Sequence, residues 1–448
     1  MPVATQDVLT AQKSAALTGT MPIPGDKSMS HRALIFGSLA IGTTRVTGLL
    51  EGADVMSTKD ALIALGAAIS RDDSGTWHIT GVGLNGMISP AAPLDLGNSG
   101  TGARLLMGVV AGQDITATFT GDASLSMRPM ARITDPLADM GAQITSRDGG
   151  LLPVTIKGSK TPLAITYHSK VASAQIKSAI LLAGLNARGI TRVIEPHASR
   201  DHSESMLRHF GADVSQQVDT DLSHHVALVG EASLSAADIT VPADPSSAAF
   251  AIVAALITPG SDIRLTGIGM NPLRTGLLTT LVEMGADIQR HNDRIEGGEP
   301  VADLRVRHSR LHAVTVPAER AASMIDEYPI LSVAAATATG TTNMRGVAEL
   351  RVKETDRIKV MADGLRACGV TVDYDDDSMQ VTGGPSIAGG AHLSAQHDHR
   401  IAMSFLTLGL VASAPITVTG CQTIETSFPG FAAGLNGLGA TITSQARS

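Results

Sequence analysis

The sequence predicts an α/β (α+β) fold of two domains, each made of three helix–sheet repeats around buried helices. Three observations carry that prediction. A helix-like run closed by glycine recurs six times: "ALIALGAAI" (Gly66), "PLADMGAQI" (Gly141), "MLRHFGADV" (Gly211), "TLVEMGADI" (Gly285), "GLRACGVTV" (Gly369) and "GLNGLGATI" (Gly439). The intervals are 75, 70, 74, 84 and 70 residues, so the copies fill the chain. Each copy also carries a second, more apolar helix-like run upstream, and alternating stretches follow the glycines. At 448 residues the chain is too long for one core.

Each copy opens on an inner helix with small or polar residues at its start: "DKSMSHRALIFGSLA", "GNSGTGARLLMGVVA", "ASAQIKSAILLAGL", "DPSSAAFAIVAAL", "MIDEYPILSVAAATA" and "HDHRIAMSFLTLGLVA". These runs are apolar nearly all round, which places them inside the domains. A β-branched strand follows, as in "TRVTGL" and "DIRLTGI". The second helix ends at the repeating glycine, where a left-handed C-cap is expected. A hairpin closes the unit. "AAISRDDSGTWHITGVG" turns around Asp72–Gly75, and "VTVDYDDDSMQVTGG" reads the same way.

Six such units could stack as one solenoid or gather in two clusters of three. "DITVPADPSSAAF" echoes "TGTMPIPGDKSMSHRAL" at half-chain distance and favours two clusters. The expected boundaries lie near residues 24 and 243. One domain is then 1–24 with 243–448, the other 25–242, with the active site in the cleft between them. "MPVATQDVLTAQKSAALTGT" lacks the charged start and apolar block of a secretion signal and reads as a short lead into a strand.

Composition excludes several function classes. A net charge of −8 and 2% aromatics argue against a general nucleic-acid binder. With so few aromatics, small aliphatics must build the cores. Apolar runs such as "AFAIVAALI" are too short to span a bilayer. The two cysteines, Cys368 and Cys421, form no metal or disulfide pattern, so a reducing cytoplasm is expected.

The unusual residues crowd the helix openings. A helix N-terminus favours anions, and Lys27 with Arg32 on the first opening would favour a phosphate or carboxylate. Ser28 either caps that helix or donates to the ligand. "LGNSGTGARLL" places Gly97, Gly100 and Gly102 where the backbone turns tightly or approaches a ligand. Arg128 and Arg132 stand four apart and would repel on one helix face unless an anion or an acid such as Asp122 or Asp135 lies between them. Asp326 and Glu327 open an apolar helix, where acids also suit the dipole as caps. In "RVKETDRI", Lys353 and Arg357 with Glu354 match ordinary surface salt-bridge spacing as well as a site. "HDHRIAM" holds His397, Asp398, His399 and Arg400, but no second ligand cluster supports a metal.

Two motifs are decoys. "GVGLNG" fits a dinucleotide pattern but follows a hairpin and enters no helix. "DYDDDSMQVTGG" lacks the glycine and glutamate of a calcium loop. If the openings share a cleft, it binds heavily anionic substrates, and acids among the cations could move protons.

Nine segments in order, "PGDKSMSHRAL", "LGNSGTGARLLMG", "GDASLSMRPM", "SAQIKSAILLAGL", "DPSSAAF", "DEYPILSVAAA", "RVKETDRI", "DHRIAMSF" and "SFPGF", resemble the 5-enolpyruvylshikimate-3-phosphate (EPSP) synthases, closest to the bacterial branch called class II. The resemblance implies the two-domain enolpyruvyl-transferase fold, no cofactor and no metal. It implies transfer of the enolpyruvyl group of phosphoenolpyruvate to the 5-hydroxyl of shikimate 3-phosphate through a tetrahedral intermediate. Lys27, Ser28, Arg32, Ser173, Ala174, Gln175, Arg200, Asp326 and Lys353 would hold shikimate 3-phosphate. Lys27, Gly100, Arg128, Gln175, Arg357 and Arg400 would hold phosphoenolpyruvate. Asp326 would be the base, Glu354 the proton donor and acceptor at the methylene, and Lys27 an aid at the phosphate. The resemblance further implies the inhibitor glyphosate as a ligand. The other expectations are a monomer and neither nucleic acid nor membrane as partner.

One departure stands out. Some relatives carry a lysine before the Ser/Thr-Phe-Pro segment, where this chain has Glu425 and Thr426. Two rival readings differ in specific residues. The UDP-N-acetylglucosamine enolpyruvyl transferases use a cysteine in the loop that here reads "GDASLSMRP", with Ala123 in its place. A non-catalytic anion-binding repeat protein would not need Asp326 and Glu354 among its cations.

Overall fold

The structure, a computed structural model, describes residues 7–444; the first six residues of the N-terminal lead and the last four of the chain lie outside them. In chain order the repeats contribute helices α1 (Lys27–Leu39) and α2 (Ala53–Ala64), α3 (Gly100–Ala111) and α4 (Ala131–Asp139), α5 (Ala174–Gly184) and α6 (His202–His209). The second three contribute α7 (Pro245–Ile257) and α8 (Gly276–Glu283), a short α9 (Ala321–Met324) ahead of α10 (Tyr328–Thr337), then α11 (Arg357–Ala367), α12 (His399–Gly409) and α13 (Phe431–Gly437).

The six repeating glycines end the second helix of each copy. All six have positive φ, from +85° at Gly369 to +110° at Gly439, a conformation that L side chains adopt only with strain. The inner helices are buried as their sequences require. Every residue of α7 from Ser246 to Ile257 is buried, and so is α10 from Tyr328 to Ala336. Small residues let these helices pack backbone to backbone. A Cβ on Gly108 of α3 would lie 2.3 Å from the carbonyl oxygen of Ala179 on α5.

Among the described residues each repeat carries a four-stranded sheet of one topology. In the first, strand Ile41–Thr47 pairs antiparallel with Trp77–Val82, which pairs with Ala68–Arg71. The register sets Val46 opposite Trp77 and Thr44 opposite Ile79, all buried. A slip of one residue would turn this set to solvent. The fourth strand, Ile239–Thr240, joins in parallel from far along the chain. Two further sheets borrow from the N-terminus. Thr18–Met21 lies parallel to Asp262–Gly269, and Val8–Gln12 sits between Ile416–Thr419 and Thr441–Ser444.

The chain divides into two compact units. The N-unit is Gly25–Val241 with the short segment Glu296–Glu299. Among the described residues the C-unit is 7–24, Pro242–Ile295 and 300–444. Each has its own core. Phe36, Phe119, Phe210 and Trp77 anchor the N-unit, and Phe250, Phe405, Phe428 and Phe431 the C-unit.

Candidate active site

In the N-unit, α1 opens on Asp26, whose carboxylate accepts the Met29 N–H at 2.8 Å. Asp26 is therefore the cap, and Ser28 is left on the first turn with its carbonyl accepting from Arg32 Nη1 at 2.9 Å. Lys27 Nζ pairs with Asp54 on the first turn of α2. Arg32 is only 3% exposed, and its other nitrogens donate to Ser203 Oγ on α6 and Ser178 Oγ on α5, both at 2.8 Å. One arginine thus ties together the starts of three helices. His31, wholly buried behind them, has its pKa well below the usual imidazole value. Burial is the main cause, with Lys27 and Arg32 adding to it.

The second opening is capped by Ser99, whose hydroxyl accepts the Gly102 N–H at 3.0 Å. Gly97 takes the left-handed turn ahead of it. Arg128 lies in the loop before α4, while Arg132 lies inside α4, so the two do not share a helix face. The cause is Pro129 between them, which cannot continue a helix from Arg128. Arg128 Nη2 donates to Asn98 Oδ1 at 2.7 Å and to Ser124 Oγ at 3.2 Å. Arg104 Nη1 donates to Gln175 Oε1 at 2.6 Å, and Gln175 Nε2 to Thr101 Oγ1 at 3.0 Å. Gly100, Arg128 and Gln175 are thereby brought into one group with Arg104. Arg104 escaped the sequence reading, although a cation inside an otherwise apolar helix needs a partner and was a usable signal. Ser173 caps α5, Ala174 begins it, and the Ser173 N–H donates to Glu195 at 2.7 Å. Arg200 is half-buried in the segment before α6.

In the C-unit the acids and bases form a second group. Arg357 begins α11 and is 1% exposed. Its Nε meets Asp398 Oδ2 at 2.7 Å, its Nη2 meets Glu354 Oε2 at 2.6 Å and its Nη1 meets Asp326 Oδ1 at 3.3 Å. Burial would pull the guanidinium pKa down, but Asp398, Glu354 and Asp326 outweigh it and hold the group above its ordinary value. Lys353 Nζ lies 3.9 Å from Asp326 Oδ1. Lys353 and Glu354 lie in a bend ahead of α11, whose N-cap is Asp356, accepting the Lys359 N–H at 3.0 Å, so the surface-helix reading of "RVKETDRI" does not hold. Neither Asp326 nor Glu327 caps α10 through its side chain. Arg400 Nη1 stands 3.7 Å from the buried Glu327 carboxylate, beyond hydrogen-bond range. Asp398 both caps α12, accepting the Arg400 N–H at 2.9 Å, and grips Arg357. Near the C-terminus, Glu425 Oε1 accepts from Gly430 N at 3.4 Å and Thr426 bonds the Thr423 carbonyl at 2.7 Å, so neither supplies a cation.

Not every opening is a site. At α7, Asp244 caps the helix and is sealed by buried Arg274, whose Nη2 also reaches Ser246 Oγ at 2.8 Å.

Comparison with known proteins settles the family. A model of EPSP synthase (3-phosphoshikimate 1-carboxyvinyltransferase) matches residues 11–435. The chain belongs to the EPSP synthase family. It is an enzyme, a carboxyvinyl transferase. A 3-phosphoshikimate 1-carboxyvinyltransferase of Parvibaculum lavamentivorans is 57% identical over 440 residues, covering 98% of both chains. One from Methylobacterium sp. is 58% identical over 438 residues, 97% of this chain and 98% of the relative. Among solved structures, an EPSP synthase from Acinetobacter baumannii matches with a TM-score of 0.86 at 46% identity, covering 97% of this chain and 99% of that one. The enolpyruvyl transferase NikO from Streptomyces tendae, 18% identical with a TM-score of 0.75, shares the fold with this EPSP synthase family member.

Proposed function

We propose that the chain transfers the enolpyruvyl group of phosphoenolpyruvate to the 5-hydroxyl of shikimate 3-phosphate and releases phosphate. The observation that carries the residue roles is the packing of Asp326 and Glu354 on one buried guanidinium, Arg357. One guanidinium gripping two carboxylates holds them close together, which suits one acid and one base acting on adjacent atoms. The 5-hydroxyl oxygen attacks the central carbon of phosphoenolpyruvate, and Asp326 takes the hydroxyl proton. Glu354, entering the step in its acid form, delivers a proton to the methylene carbon, giving a tetrahedral ketal phosphate. Elimination returns a methyl proton to Glu354, breaks the carbon–oxygen bond to phosphate and expels phosphate beside Lys27, with the proton held by Asp326 leaving on the phosphate.

In this reading Lys27, Ser28, Arg32, Ser173, Ala174, Gln175, Arg200, Asp326 and Lys353 meet shikimate 3-phosphate. Lys27, Gly100, Arg128, Gln175, Arg357 and Arg400 meet phosphoenolpyruvate. The substrate phosphates each carry roughly −1.5 to −2 at neutral pH, so cations from several elements are needed. Arginine forks fit carboxylate and phosphate bidentately. The reaction needs the residues of both units on one pair of substrates, and a closing motion is the proposed means. Glyphosate is the proposed inhibitor. No described helix is long and apolar enough to cross a membrane, and a cytoplasmic monomer is the proposed setting.

The test is phosphate release. It should require both substrates, and Asp326→Ala and Glu354→Ala should each lower turnover about 10²–10⁴-fold at saturating substrate. Near wild-type turnover in either variant would sink its assignment.

A further inference from the structure

Lys177 sits on α5 one turn beyond Ser173, and its side chain is fully buried. Its Nζ meets Glu195 Oε2 at 2.9 Å, Glu204 Oε1 at 2.8 Å and the Ser199 carbonyl at 3.3 Å. Burial opposes its charge, but the two glutamates raise its pKa and keep it protonated. Glu195 ends the strand Ile190–Glu195 and is itself buried. Its carboxylate accepts the Ser173 N–H at 2.7 Å and, through both oxygens, the Ser199 hydroxyl at 2.8 Å. Glu204, in the first turn of α6, accepts from Gln216 Nε2 at 3.3 Å, and its Oε2 has no hydrogen-bond partner among the described residues.

A buried cation with two carboxylates is a poor stabiliser, because desolvation offsets most of the attraction. Its value lies in geometry. One carboxylate, Glu195, joins the entrance of α5 to the segment that carries Arg200, and Lys177 locks that carboxylate from behind. None of the three charged groups lies among the residues assigned to substrate.

We infer that Lys177 and Glu195 are positioning residues for shikimate 3-phosphate: they set the Ser173–Gln175 helix entrance against the Ser199–Arg200 segment. This rests on the assignment of those segments to shikimate 3-phosphate above. Gln175 keeps its own bonds to Arg104 and Thr101, so phosphoenolpyruvate binding should be spared.

Two variants test it. Glu195→Gln keeps the shape and removes the charge. Ser199→Ala cuts one bond to Glu195 and leaves every buried charge paired, so it folds even where the first variant does not. Shikimate 3-phosphate affinity is read by calorimetry, the KM for phosphoenolpyruvate by phosphate release, and folding by Trp77 fluorescence. Glu195→Gln should weaken shikimate 3-phosphate about tenfold and Ser199→Ala about threefold, with the phosphoenolpyruvate KM within about twofold. Native shikimate 3-phosphate affinity in a folded variant, or equal losses for both substrates, would overturn the inference. Native affinity in Ser173→Ala and Gln175→Ala would instead overturn the assignment on which it rests, a separate result from the first.

Discussion

Gly100→Ala separates a steric effect from a stability effect at one atom. Gly100 is the first residue of α3 and has helical backbone, so alanine enters without strain. The added Cβ would lie 3.1 Å from Arg128 Nη1, 3.3 Å from Arg104 Nη1 and 3.8 Å from Leu125 Cδ1. The two tight neighbours are the far ends of flexible side chains, so they yield by a few tenths of an ångström. Stability should hold or rise by about 0.4–1 kcal/mol, because alanine narrows the unfolded ensemble. The guanidiniums bear the cost. Arg128 is held to Asn98 at 2.7 Å and Arg104 to Gln175 at 2.6 Å, and a shift weakens these bonds. Losing about half of one charge-assisted bond is ~1 kcal/mol, or about fivefold in phosphoenolpyruvate KM. Glyphosate is longer, so the methyl itself should crowd it, adding roughly 1–3 kcal/mol and raising its Ki about 30-fold or more. Steady-state kinetics and a thermal melt measure all three quantities. An unchanged Ki would refute the steric account, and a marked fall in melting temperature would show that the arginines do not yield.

Gly108→Ala should behave in the opposite way, because its Cβ would meet the Ala179 carbonyl at 2.3 Å and backbone cannot swing aside. It should cost at least ~1–3 kcal/mol in Trp77-monitored denaturation of the N-unit, and a neutral result would contradict the packing. Asp398→Asn keeps an oxygen for the Arg400 N–H but removes the charge facing buried Arg357. It should cost about 2–3 kcal/mol, lowering the far-ultraviolet dichroism midpoint while the Trp77 transition holds; an unmoved dichroism midpoint would exclude it. His31 is neutral in the fold, with its pKa depressed by burial and by nearby cations. Its contribution is therefore fully present above the unfolded value near 6.5 and is lost as pH falls below it, by about 1.4 kcal/mol per pH unit. His31→Gln should flatten that slope in acid titrations of N-unit stability, and an identical slope would rule His31 out as its source.

The repeat was legible because it rests on local rules. A glycine after an apolar-periodic run announces a left-handed cap, and six in register announce six units. The short parallel strands were not legible. Leu94–Asp95, Ile239–Thr240 and Thr315–Val316 are two residues each, too brief for any period, and their partners lie elsewhere in the chain. At the site the cations were visible as oddities, but their partners were not. Spacing alone made Lys353, Glu354 and Arg357 an ordinary helix surface. The start of α11 after its cap Asp356, which leaves Lys353 and Glu354 outside the helix, and the burial of Arg357 against Asp398, 41 residues on, reverse that reading.

One physical reason explains why the chemistry collects where it does. An inner helix that is apolar all round can carry charge only at its opening, since a charge deeper in would be desolvated without a partner. At the opening the free N–H groups already favour an anion, so a cation placed there must be held by some other group. Asp54 does this for Lys27, and Glu327 stands opposite Arg400. The α7 opening shows the alternative outcome, with Arg274 recruited from another element to close off Asp244. Arg32 is the third case: it donates to Ser178, Ser203 and the Ser28 carbonyl, so three elements fix its direction. A guanidinium held at the α1 entrance in this way is placed to meet the phosphate of shikimate 3-phosphate, the ligand proposed for it above. Shikimate 3-phosphate should therefore protect the N-unit against denaturation more strongly than shikimate does, and Arg32→Met should shrink that difference while the triad behind α5 stays intact. Equal protection by the two ligands would show that the phosphate does not meet Arg32.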